Sequence, residues 1–192
     1  MARPREFDID AALDGAMRIF WRNGYAGTSM DDLTTELGIV KPSLYNAFGN
    51  KRQLFDQALE RYATRSRAKL DDAIAEPTAA RVAARYLHSL INTTPGVPPS
   101  CMMVKGAMDC SPGSADVQQA IASRLRHSEK LLAFRFARAR DEGDLPDDAN
   151  PADLARFVMA MSYGIAAQSS VGATAAQLRR VADVAVNALS KV

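Results

Sequence analysis

An all-α fold is predicted by three features of this 192-residue sequence. Apolar residues recur at helical spacing along most of the chain, and the helix-forming residues Ala, Leu, Met and Arg are abundant. Strand signals, by contrast, are scarce. Glycines, prolines and capping residues divide the helical pattern into about nine pieces. We therefore expect about nine helices in two domains, residues 1–55 and residues 56–192.

The predicted helix ends rest on capping residues and on residues that stop helices. Thr28 with Asp31, and Asn50 with Gln53, have the spacing of capping boxes. Pro42 is tolerated because it falls in the first turn of a short helix. The predicted helices cover residues 8–23, 29–37, 41–47, 51–75, 77–93, 101–110 (a short helix or a turn), 115–142, 151–169 and 174–190.

Composition argues against several classes of protein. No apolar run approaches the roughly 18–20 residues that span a bilayer, and the polar N-terminus gives no sign of a secretory signal. Two cysteines are too few for a disulfide scaffold, so we expect a cytoplasmic protein with no membrane partner. We also find no Gly-rich phosphate loop, no Cys/His metal spacing and no Ser–His–Asp set. We therefore predict no cofactor, no metal site and no enzymatic activity.

The charge distribution alone gives little information about nucleic acid. The net charge is +2, and residues 1–55 contain seven basic and seven acidic residues. Residues 39–55 nevertheless contain three basic residues and no acidic one. A DNA-binding prediction must therefore rest on geometry, with charge as support.

The second and third predicted helices have the arrangement of a helix-turn-helix. Leu33 and Leu37 are expected to pack the first of the two against the bundle, and Gly38 supplies the permissive backbone of a short turn. The second helix, residues 41–47, then projects from the domain and can enter the major groove of DNA. Spacing alone is a weak signal, since many helical hairpins share it.

The residues around this turn strengthen the prediction. The segment from Gly24 to Leu33 and the segment from Leu37 to Phe55, LGIVKPSLYNAFGNKRQLF, closely resemble the DNA-binding signature of the tetracycline-repressor (TetR) family. The match covers about residues 7–55. Chain length and the helical remainder extend it less specifically to the whole chain. The resemblance implies a dimeric, ligand-responsive repressor that binds double-stranded operator DNA.

Seven residues are candidates for contact with DNA. Thr28, at a helix N-terminus, is a candidate phosphate contact, and Tyr45 and Lys51 match phosphate-contacting positions of the family. The candidates for reading bases in the major groove are Lys41, Ser43 and Asn46, and Arg3 belongs to an N-terminal arm that could reach a minor groove.

These assignments have plainer alternatives. Tyr45 could be a partly buried core residue, Lys51 an ordinary solvated helix start, Asn46 plain surface, and Arg3 part of a disordered tail. At position 40 the family often has a capping Ser, Thr or Asn. Here Val40 either contacts a thymine methyl group or leaves the helix start uncapped.

The last two long helices are predicted to form a dimer interface. Both carry apolar residues at helical spacing, and small residues on the first of them permit close helix approach. The resemblance implies that they pair with their counterparts in a second copy, and the alternative is an internal core stripe of a monomer. The apolar residues concerned are Leu154, Phe157, Val158, Met161, Ile165, Leu178, Val181, Val184 (or Ala185), Ala188 and Leu189.

A pocket for an unidentified small-molecule effector is expected between the DNA-binding head and these helices. Methionine adapts its shape to varied apolar ligands, although Met and Phe at helical spacing are more often plain core. The candidate lining residues are Met102, Met103, Met108, Phe134, Met159 and Tyr163. His88 and His127 could add polar contacts but are more typical of surface histidines. A thiol switch between Cys101 and Cys110 is a further alternative, although nine residues apart in one short helix they would point away from each other.

The sequence thus predicts a repressor released from a palindromic operator by an inducer. A ligand-independent DNA-binding protein and a transcriptional activator remain alternatives.

Overall fold

A computed structural model of the protein describes residues 7–91, 94, 96–109 and 114–191. Within those ranges the chain forms nine α-helices and no β-strand, as predicted. The helices are α1 (Ile9–Asn23), α2 (Met30–Leu37), α3 (Lys41–Phe48), α4 (Lys51–Ile74), α5 (Ala79–Ser89), α6 (Met102–Ala107), α7 (Ala115–Asp141), α8 (Pro151–Ser170) and α9 (Ala175–Leu189).

The fifth helix is shorter than predicted because side chains from α7 and the following loop fix its start. Arg135 lies buried on α7 and donates to the carbonyl oxygens of Ile74, Glu76 and Pro77, which closes the end of α4. Thr78 caps α5. The first amide of α5, that of Ala79, donates to the Asp144 carboxylate in the loop after α7. The polypeptide between α4 and α5 is therefore a tight turn held by Arg135 and not the first turn of α5.

Two apolar cores organise the helices. The head core joins α1–α3 and the first half of α4, and it also takes in α6 and the start of α7. The body core joins the end of α4 with α5, α8, α9 and the second half of α7. Helix α4 contributes to both, so the head is packed directly onto the body. The division at residue 55 stays a prediction.

Ion pairs reinforce the contact of α1 with α4. The Asp14 carboxylate on α1 accepts hydrogen bonds from Arg61 and, at 2.7 Å, from Arg65, both on α4. Arg61 also donates to Asp10 at 2.7 Å. Burial tends to raise the pKa of Asp14, but the two guanidinium groups outweigh it and hold that pKa below its ordinary value. We call these four residues the α1–α4 clamp.

The apolar stripes predicted on the last two helices divide into two faces. Val158, Ile165, Leu178 and Leu189 are buried in the body core, which corrects their assignment to a dimer interface. Leu154 also packs against the body core. The other predicted residues line an open groove between α8 and α9, together with Gln168 and Gln177: Phe157, Met161, Val181, Val184 and Ala188. The α9 members follow one another at i, i+4, i+7 and i+11, the spacing of a helix-packing seam.

No helix in the described part of the chain combines the length and apolar character needed to cross a bilayer.

Candidate nucleic-acid interface and effector cavity

The helix-turn-helix is built by a left-handed glycine and a buried contact. Gly38 ends α2 with φ = 65°, a conformation that costs a glycine little, and the next amide, that of Ile39, donates to Thr34 O at 3.2 Å. Leu33 on α2 and Leu44 on α3 are fully buried and hold the two helices on the head core. The opposite face of α3 is thereby turned to solvent.

The exposed face of α3 presents the predicted base-reading residues. Asn46 is exposed, Ser43 is half-buried, and Tyr45 is 41% exposed, so its side chain is not a core residue. Lys41 is exposed and donates to Asp31 on α2 at 2.8 Å, a hydrogen bond that raises the pKa of Lys41. The lysine is thus held at the start of α3 until another acceptor competes for it.

The N-termini of α2 and α4 converge on a candidate phosphate site. Ser29, exposed at the N-cap of α2, exchanges capping-box hydrogen bonds with Asp32. Lys51, the first residue of α4, places its ammonium 4.4 Å from the centre of the Tyr25 ring. Burial lowers the pKa of Lys51, while the nearby Asp32 carboxylate acts in the opposite direction. A phosphate here would meet two helix N-termini and one cation.

Thr28 does not have the predicted role. Its side chain is fully buried and donates to Gly24 O at 2.7 Å, while its amide points to Tyr25 O. The capping box is one residue later than predicted, Ser29 with Asp32, because the Thr28 hydroxyl is buried against Gly24 O while Ser29 is exposed at the start of the helix. Sequence reasoning therefore missed Ser29, although its spacing to Asp32 was a usable signal.

Two further predictions concern the ends of this surface. Val40 is the N-cap of α3, makes no side-chain capping hydrogen bond and is 68% exposed. The helix start is thus uncapped, and the valine is free to meet a thymine methyl group, so the two alternatives are compatible. Arg3 lies outside the described residues.

A cavity of about 240 Å³ lies where the head meets the body. It is bounded by five helices, α1, α4, α5, α6 and α8, by α7 at one side and by the chain before α6. Met17 and Trp21 of α1 form part of its floor, so a molecule inside it would touch the DNA-binding head directly. Two predicted pocket residues, Met103 and Tyr163, line it.

The other four predicted pocket residues lie elsewhere. Phe134 is 77% exposed, because Leu132 and Phe136 at positions i−2 and i+2 turn inward and leave it on the opposite face of α7. Met102 is buried in the head core, and Met159 in the body core. Met108 is exposed beside a separate groove between the end of α1 and α6. These four placements correct the predicted lining.

Aromatic and polar side chains, not the predicted methionines, dominate the cavity wall. The Trp21 and Tyr62 rings meet edge to face at 4.8 Å, and the Tyr62 hydroxyl donates to Cys101 Sγ at 3.3 Å. Burial raises the pKa values of Tyr62 and Tyr86. Sequence reasoning missed these residues, since helical spacing places aromatic rings inward without saying which of them border a void.

The geometry supports neither a thiol switch between the two cysteines nor polar contacts of the two histidines in the cavity. Cys101 is the half-buried N-cap of α6, and Cys110 lies outside the described residues. His88 contacts Asp183 at 2.9 Å and His127 contacts Arg67 at 2.8 Å, both in exposed pairs. The described residues contain no group of three or more His, Cys, Asp or Glu side chains that could hold a metal ion.

Comparison with known proteins agrees with this architecture. A family model for bacterial regulatory proteins of the tetR family matches residues 12–58, and one for the tetracyclin repressor-like C-terminal domain matches residues 78–185. The HTH-type transcriptional repressor ComR of Escherichia coli strain K12 is 33% identical over 184 residues, covering 94% of this chain and 88% of ComR. The chain belongs to the TetR family. The predicted resemblance and the predicted fold class are thereby confirmed.

Two further relatives of this TetR-family protein extend the likeness over nearly all of its length. The HTH-type transcriptional regulator YezE of Bacillus subtilis strain 168 is 28% identical and covers 98% of this chain and 100% of its own. A solved structure of the TetR-family regulator CifR, a triple cysteine mutant bound to 26-bp double-strand operator DNA, has a TM-score of 0.90 and 33% identity. It covers 98% of this chain and 100% of that one. These relatives are transcriptional regulators, as is this protein, in agreement with the prediction that it is not an enzyme.

Proposed function

We propose that this protein is a homodimeric transcriptional repressor that binds an inverted-repeat operator and leaves it when a small molecule occupies the cavity at the head–body junction. The observation that carries the proposal is the solvent-facing side of α3, flanked by the candidate phosphate site of Ser29 and Lys51. Asn46 and Lys41 offer the donor and acceptor groups that suit base edges in the major groove. CifR, with which the chain shares the family and 33% identity, was solved on operator DNA.

Dimerisation places two α3 helices on one duplex. One head offers few phosphate contacts, and such an interface binds weakly and with steep salt dependence. Two heads related by two-fold symmetry read half-sites about 34–36 Å apart. The open apolar groove between α8 and α9 is the surface that supports this pairing.

Effector control follows from the place of the cavity. Its wall includes α1, which belongs to the head, and α4, which spans head and body. A molecule bound there favours one tilt of α4 and changes the spacing of the two α3 helices. To move the balance from 1:99 to 99:1, ligand binding must favour the released form by about 5.5 kcal/mol. We place the repressor in the cytoplasm, with its DNA.

Selection of bound duplexes from a random pool tests the proposal. We expect an inverted repeat, whose binding is lost in Tyr45→Ala and retained in Phe134→Ala, a change of another exposed aromatic residue outside the head. Absence of any preferred duplex at low ionic strength would refute the DNA-binding role.

A separate measurement tests effector control. Distances between labels on the two heads of the dimer should change when an effector binds. If every ligand that stabilises the protein leaves both head spacing and DNA affinity unchanged, the protein binds DNA without effector control.

A further inference from the structure

The cavity at the head–body junction is cationic at its rim and apolar at its floor. Among the described residues its lining contains two cations, Arg65 and Lys69, and no Asp or Glu. Both cations reach solvent, although neighbouring side chains partly cover Lys69, whereas the floor is formed by buried side chains such as Met17, Trp21 and Met103. A ligand that fills this space must place its apolar part inward and its polar part at the rim.

The two rim cations differ in what balances their charge. Arg65 belongs to the α1–α4 clamp and donates two hydrogen bonds to the Asp14 carboxylate, at 2.7 and 3.0 Å. Lys69 donates to a neutral acceptor, the carbonyl oxygen of Ser89, at 2.9 Å. Among the described residues no carboxylate oxygen lies within 4 Å of its ammonium group. Partial burial also lowers the pKa of Lys69, the mark of a cation that an anion would stabilise.

Flat rings form much of the cavity wall. Trp21 and Tyr62 meet at one end, and Tyr86 and Tyr163 stand on α5 and α8. Aromatic rings pack favourably against one another edge to face or offset, so such walls favour a flat apolar ligand. The volume of about 240 Å³ exceeds the roughly 150 Å³ of an engineered apolar cavity that binds benzene.

We propose that the effector of this repressor is a small aromatic carboxylate, with its ring among Trp21, Tyr62 and Tyr86 and its carboxylate paired with Lys69 at the rim. The inference rests on the proposed function, because it names the chemical class of the effector for that cavity. The carboxylate replaces the neutral Ser89 carbonyl oxygen with a charged acceptor, which adds the Coulombic attraction of opposite charges to the hydrogen bond of Lys69.

Benzoate and benzamide form a matched pair of probes, equal in shape and different in charge. Trp21 is the only tryptophan of the chain and forms part of the cavity wall, so its fluorescence reports occupancy directly. Titrations at constant ionic strength should show benzoate binding at least tenfold more tightly than benzamide. Lys69→Met should abolish this preference, and Lys69→Arg should keep it. Lys130→Met, which changes an exposed lysine of α7 outside the cavity, is the control.

The outcomes separate this inference from the proposed function. Equal affinity for the two probes, a preference that survives Lys69→Met, or no change in Trp21 emission with either probe would each overturn the anion assignment. If benzamide binds as tightly as benzoate and also releases the selected duplex, effector control stands and only the ligand class is wrong. If benzoate occupies the cavity with the expected preference but DNA affinity stays the same, the anion site stands and effector control fails.

Discussion

Truncation of one valine in the α8–α9 groove should weaken the dimer by a calculable amount. Val184 is 69% exposed in the single chain, although its side chain is wholly apolar. Val184→Ala removes two methyl groups, which contribute about 1.6 kcal/mol when fully buried. Because about two-thirds of the residue remains to be covered, the loss is about 1 kcal/mol per copy and about 2 kcal/mol per two-fold dimer. The dimer dissociation constant should therefore rise roughly 30-fold.

Sedimentation equilibrium without DNA measures this constant, and the chain offers a matched control. Val40 is 68% exposed, almost the same as Val184, but it lies at the start of α3 in the head. Val40→Ala should therefore leave dimerisation unchanged while Val184→Ala weakens it. If both variants keep the wild-type constant, or if the wild-type protein is a monomer at micromolar concentration, the groove is not the dimer interface.

Three further substitutions test the head and its attachment. Lys51→Ala should weaken binding to every duplex alike and make the slope of log affinity against log salt shallower by roughly 0.9 per subunit, as measured by fluorescence anisotropy. Asn46→Ala should instead cost about 1–3 kcal/mol at one base pair of each half-site, seen by competition with altered duplexes. Asp14→Asn should lower the free energy of unfolding by about 1 kcal/mol at neutral pH, because Arg61 and Arg65 lose a charged acceptor. The folded-state pKa of Asp14 is lowered, so the contribution of its carboxylate to the free energy of unfolding is complete above about pH 3.9 and is lost as pH falls below that value. The stabilities of the wild type and of Asp14→Asn should therefore converge in acid.

The DNA-binding head was predictable because its signals are local. A glycine that accepts positive φ, a proline in the first turn and a capping box each act within four residues, so the sequence marks them directly. The capping register of α2 was the exception. Thr28 with Asp31 and Ser29 with Asp32 fit the same pattern, and the burial of the Thr28 side chain against Gly24 O decides between them.

The cavity was less predictable because it depends on how helices rotate against one another. Met102 and Met103 are neighbours in α6 and both belong to the head core, yet a rotation of about 100° between them leaves only Met103 at the cavity wall. Similarly, Phe157 faces the open groove while Val158 is fully buried. Apolar spacing identifies the residues that turn away from water, but tertiary packing decides which of them border empty space.

Arg65, a residue of the α1–α4 clamp, couples the cavity directly to the head. Its guanidinium group holds Asp14 of α1 and also stands at the cavity rim beside Lys69. An anionic ligand at that rim therefore competes with Asp14 for Arg65 and loosens the contact of α1 with α4. Each such exposed ion pair contributes at most about 1 kcal/mol, too little to account for a full switch. A dimer has two cavities, however, so each needs to supply only about half of the roughly 5.5 kcal/mol that complete release requires. The rest of this free energy must come from repacking of α1 and α4 around the ligand. A ligand that reaches Trp21 as well as the rim therefore affects the head most strongly.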